Sequence, residues 1–65
     1  MKVHVIYNDD EGVVEGFSYD LPEDYTYKNI EDYIYVVCDE HITYFQWFSD
    51  KKNYVGSCVI KKESL

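Results

Sequence analysis

The sequence predicts an all-β domain of five antiparallel strands: a hairpin over 2–7 and 13–21, then a meander over 33–38, 42–48 and 54–61, shaped as a small barrel or a curved sheet. Three observations predict it. Several segments alternate apolar and polar residues with a period of two. The links between them are short and rich in Asp, Asn, Gly and Ser. A chain of 65 residues that is 46% hydrophobic and 18% aromatic, with 3 Gly and 1 Pro, has the composition of a folded domain and not of a disordered segment.

In Val3-His4-Val5-Ile6-Tyr7, alternation puts Val3, Val5 and Tyr7 on one side. Asn8-Asp9-Asp10-Glu11-Gly12 is a polar link ending in glycine, the composition of a hairpin loop. Odd positions of the second strand hold Val13, Phe17, Tyr19 and Leu21, with Glu15 as a misfit, and Gly16 suggests a bulge or bend. Residues 22–32 show no readable period. Asp20 stands three before Glu23 with Pro22 between, which allows one short helical turn, and a loop anchored by Tyr25, Tyr27 and Ile30 fits equally well.

From Tyr33 onward the short links Asp39-Glu40-His41 and 49–53 set a register. Cys38 is expected opposite Ile42, Val36 opposite Tyr44, Tyr35 opposite Phe45 and Tyr33 opposite Trp47. Across the second link, Phe48 meets Val55 and Phe45 meets Cys58. Directly paired residues share a side. One face is then aliphatic, with Ile34, Val36, Cys38, Ile42, Tyr44, Phe48, Val55 and Val59. The other is aromatic, with Tyr33, Tyr35, Phe45, Trp47 and Tyr54 among its members.

The net charge is -7, and it is polarised along the chain. Eleven acids against Lys28 lie between Asn8 and Glu40; from His41 onward two acids face four lysines. Such a balance argues against direct nucleic-acid binding, which needs a basic stripe. No apolar run approaches the ~20 residues of a membrane span, and Met1-Lys2-Val3-His4 has no long apolar stretch after it, so a soluble cytoplasmic protein is expected.

The chemistry on offer is sparse. Strands 33–38 and 54–61 flank 42–48, roughly 10 Å apart, too far for Cys38 and Cys58 to bridge, so free, buried thiols are expected. A calcium loop with Gly12 at its sixth position puts Tyr7 first and Ser18 twelfth, which fails the ligand pattern. His4 and His41 lack zinc spacing. Cys38 and His41 are near in sequence, but so short a chain has little room for a cleft or an oxyanion hole, and they are read as a core thiol and a surface histidine. No enzyme activity, metal or cofactor is expected.

Interaction remains as the function. A single core of this size seldom supplies more than ~3–5 kcal/mol, which favours partnered states. The leading expectation is a non-catalytic acidic protein that binds and inhibits a basic, nucleic-acid-handling protein. Small inhibitors of phages and mobile elements, whose carboxylates imitate a phosphate row, act this way. Its candidate contacts are Asp9, Asp10, Glu11, Glu23, Asp24, Glu31 and Asp32, with an aromatic anchor from Tyr25 or Tyr27. One alternative is a homo-oligomer joined through the aromatic face, Tyr33, Tyr35, Phe45, Trp47 and Tyr54, with any ligand held between subunits. Another is a peptide-binding module whose groove is lined by Tyr33, Tyr35 and Trp47. The blander readings are that the aromatic set is simply interior and that the acids are solvated turns.

Overall fold

The computed structural model describes residues 1–51 and 53–60. Four strands and one helix follow in the order β1 (Lys2–Asp9), β2 (Val14–Asp20), α1 (Tyr27–Val37), β3 (Ile42–Ser49) and β4 (Val55–Val59). The strands form one antiparallel sheet in the order β2-β1-β3-β4, and α1 carries the chain from edge strand β2 across β1 to β3. The sheet is open, with β2 and β4 as its edges, so the barrel is not formed.

The first hairpin forms where expected. Val5 pairs with Phe17 and Val3 with Tyr19. Its turn is built by Asp9, whose carboxylate accepts the Glu11 and Val13 N–H groups at 2.8 Å each, and by Gly12, whose φ of 85° suits only a residue without a side chain. Gly16 marks no bulge: it sits in the regular ladder opposite Ile6, and the irregularity falls at Asn8/Asp9 in the β1–β3 pairing. The second hairpin also keeps its expected register, Phe48 to Val55 and Phe45 to Cys58. The Ile60 N–H continues it, donating to the Thr43 carbonyl at 2.8 Å. Lys61, at the expected end of that strand, lies outside the described residues.

The main correction falls on 33–38: residues 33–37 belong to α1, Cys38 caps it, and there is no fifth strand there, so none of the pairings expected between 33–38 and 42–48 exists. The helix starts at a capping box: the Thr26 hydroxyl accepts from the Asn29 N–H, and the Asn29 side chain accepts from the Thr26 N–H. Pro22 sits in the preceding turn, where its carbonyl accepts from the Tyr25 N–H, and the Asp20/Glu23 pair plays no capping role. Ile30 and Ile34, one turn apart, are fully buried. Each contributes roughly 1.5–3 kcal/mol on burial. That gain outweighs the β preference of Tyr33-Ile34-Tyr35-Val36-Val37, because a strand there would leave the aromatic side of the sheet without cover.

The core lies between α1 and one side of the sheet. Val3, Val5, Tyr7, Phe45 and Trp47 point into it from the two middle strands, with Leu21 and Ile60 at its margins. Burial raises the Tyr7 phenol far above its ordinary pKa, aided by the hydrogen bond it shares with the Tyr19 hydroxyl at 2.9 Å.

Candidate functional site

The aromatic residues expected to share one face do not all share it. Phe45 and Trp47 are interior. Tyr33 is half-buried against Tyr19, with ring centroids 5.5 Å apart, and Tyr35 is 55% exposed on the helix. Tyr54 closes a cluster with Tyr27 and Trp47 at centroid distances of 5.8 and 6.5 Å. That cluster rests on Gly56. A Cβ added there would meet Trp47 Nε1 and the Tyr27 hydroxyl closer than any side chain tolerates. Tyr27, offered as an anchor for a partner, is therefore largely spent within the fold, its hydroxyl donating to the Val55 carbonyl at 3.3 Å. Tyr33 lines the hollow beside Asp24 and Trp47 the one beside Ile6, and Tyr35 lines neither.

The acidic candidates divide between two ends of the molecule, because β1 carries the chain from one end of the sheet to the other. At the end where β1 begins, the Glu23 carboxylate pairs with Lys51, which holds it below the usual carboxylate range and raises the lysine. Asp32 pairs with Lys28 at 2.8 Å, one helical turn away. Asp24, Tyr25 and Asp32 line a shallow hollow of about 430 Å³ with Asn29, Tyr33 and Val36. Glu31 is turned inward: it accepts the Trp47 indole N–H at 3.1 Å, and its charge adds to the burial that raises the Cys58 thiol. It is a structural acceptor and not an outward-facing contact.

At the other end, the turn that closes β1 onto β2 meets the turn that carries α1 into β3. The Asp10 N–H donates to the His41 carbonyl at 3.2 Å, and Asp9 pairs with Ile42. Asp10 and Glu11 are thereby brought beside Asp39 and Glu40, all four exposed. None of these four takes part in an ion pair among the described residues. They also lie just past the C-terminal end of α1, which carries roughly half a negative charge of its own. The helix has no basic residue in its last turn to offset it. Asp9 is half-buried and committed to its turn. Asp39 and Glu40 were absent from the contacts expected from sequence; only the β1–β3 pairing, which is remote in sequence, joins them to Asp10 and Glu11. Lys61 and Lys62, which follow Ile60, lie outside the described residues.

The remaining pieces are quieter. Both cysteines are thiols outside any disulfide and half-buried, not fully buried as expected. The Cys38 thiol donates to the Tyr35 carbonyl at 3.3 Å. Among the described residues no three of His, Cys, Asp and Glu are grouped so as to hold a metal ion, and no helix is long and apolar enough to cross a membrane.

The side of the sheet away from α1 carries Ile6, Val14, Phe48, Val55 and Val59, each at least 41% exposed. No protein-family model, curated protein or solved structure matches the chain.

Proposed function

We propose that this chain is a non-catalytic acidic interaction protein that acts in the cytoplasm, binding a basic, nucleic-acid-handling protein and blocking its nucleic-acid site. The observation that supports it is the gathering of Asp10, Glu11, Asp39 and Glu40 at one end, past the negative end of α1 and outside every ion pair among the described residues. The Asp9 carboxylate and the Asp10–His41 backbone hydrogen bond set the two turns side by side, and the four carboxylates there steer a cationic partner toward that end. Compared with the expectation from sequence, the contact set loses Asp9 and Glu31 to structural roles and gains Asp39 and Glu40. Asp24 and Asp32, with Tyr25, form a secondary acidic margin. Inhibitors of this type are carried by phages and mobile elements, and that origin belongs to the proposal.

The test is affinity capture from the native host with the wild-type chain and with the Asp10→Asn/Glu11→Gln/Asp39→Asn/Glu40→Gln variant. The wild type is expected to retain a basic protein that duplex DNA or RNA displaces. The variant is expected to lose it by an order of magnitude or more, with a flatter dependence on salt. Equal capture by both, or a captured partner indifferent to nucleic acid, refutes the proposal.

A further inference from the structure

We propose that the outer face of the sheet is a self-association surface, on which a second copy of this chain packs face to face about a two-fold axis. The pairing registers place three outward rows across the four strands: Ser18-His4-Phe48-Val55, Gly16-Ile6-Gln46-Ser57 and Val14-Asn8-Tyr44-Val59. No Asp, Glu, Lys or Arg stands among these twelve positions, in a chain of which 29% is charged. Charge on this side of the sheet is confined to one margin, where Lys2 stands opposite Asp20 beyond the three rows. A basic partner finds nothing to pair with on this face. A second copy brings the same three uncharged rows and keeps its charges, Lys2 and Asp20 among them, at the rim.

Half of the twelve positions are apolar, Ile6, Val14, Tyr44, Phe48, Val55 and Val59, and the others are uncharged. The face is also shaped to take side chains from a partner. A hollow of about 490 Å³ opens beside Ile6, Phe48, Val55 and Ser57, and it is lined also by Tyr27, Trp47 and Gly56 from the covered side. Area sets the strength. Four strands about 4.8 Å apart, with a length of about 20 Å, make a face of roughly 400 Å², so two faces in contact bury roughly 800–1,000 Å² in total. That lies at the low end for a specific complex, so the dimer is weak and concentration-dependent. Packing two sheets with their strands about 30° apart is the ordinary sandwich geometry. Because each copy carries -7, the dimer should tighten as salt screens the repulsion.

This surface is separate from the acidic end, so its failure leaves the proposed function standing and the reverse also holds. The experiment is sedimentation velocity of the wild type, Val55→Glu and Val36→Glu, from about 10 μM to about 1 mM, in low salt and in about 1 M NaCl, where the screening length is about 3 Å. Val55 is 72% exposed on the outer face and Val36 is 80% exposed on the helix, so both variants should fold, with far-UV circular dichroism as the check. Expected are a wild type that moves from one to two chains with concentration, more readily at high salt, a Val55→Glu variant that stays single, and a Val36→Glu variant that behaves as the wild type. A wild type that stays single throughout, a mass beyond two chains, or equal loss of the dimer in both variants overturns the proposal.

Discussion

The two faces of this sheet are made by alternate residues of the same four strands, yet they have little in common. The face under α1 holds Val3, Val5, Tyr7, Phe45 and Trp47, all essentially without solvent contact, and it is fitted closely enough that position 56 accepts only glycine. The outer face holds Ile6, Phe48, Val55 and Val59, from 41% to 72% exposed, around an uncharged polar centre. One face is fixed by interlocking shape. The other is held to a looser rule, the exclusion of charge. The lesson is that stability in so small a protein comes from one layer, which leaves the second layer available for contact with other molecules.

The sharpest way to break the comparison is to remove a large ring from the covered face. Phe45→Ala is expected to cost about 3–5 kcal/mol, comparable with the whole stability of a domain this size, and to show in urea as a chain largely unfolded without denaturant. An intact transition near that of the wild type means the helix does not seal this face.

A smaller effect comes from pH. The Tyr7 phenol is raised by burial, so in the folded state it stays protonated above pH 10, where an exposed phenol in the unfolded chain ionises. The unfolded state then binds fewer protons and stability falls as pH rises: the Tyr7 contribution is complete below about pH 10 and amounts to a loss of about 1 kcal/mol by about pH 11. Urea midpoints at the two pH values should converge less steeply for Tyr7→Phe than for the wild type, and identical slopes remove Tyr7 as the cause.

The smallest effect belongs to the outer face. Val55→Ser, measured at concentrations where the chain is single, is expected to shift stability by no more than about 0.5 kcal/mol. A loss several times larger puts Val55 in the core and erases the distinction between the faces.

Much of this architecture is legible in the sequence because residues 3–7, 13–21, 42–48 and 54–61 alternate plainly, and the five-residue link 49–53 sets Phe48 against Val55. Residues 33–38 mislead because Tyr33, Ile34, Tyr35, Val36 and Val37 are apolar at every position, which leaves alternation without information. The informative spacing runs across the boundary chosen at Tyr33: Tyr27, Ile30 and Ile34 recur every three or four residues, behind Thr26 and Asn29 as a capping pair. The sequence also separates Tyr44 and Phe48 from Phe45 and Trp47 on β3, but it places Ile42 with the first pair whereas the irregularity beside Asp9 brings it into the core, and it does not say which set the covering element chooses. The acidic site is harder still. The turns that carry Asp10 and Asp39 meet, through the Asp10 N–H and the His41 carbonyl, only because β1 and β3 lie side by side, and nothing local to either turn announces that neighbour.

The crossover through α1 has a further consequence, for the order of events in folding. Each hairpin closes a short loop, whereas the β1–β3 ladder joins residues from opposite halves of the chain and bears the entropy of a much longer loop. The helix has nothing to dock on until that ladder exists, since Ile30 and Ile34 rest on side chains contributed by both of its strands. Two quick, local pieces therefore wait on one slow seam, and the rate at which this protein reaches its native state is set where β1 meets β3.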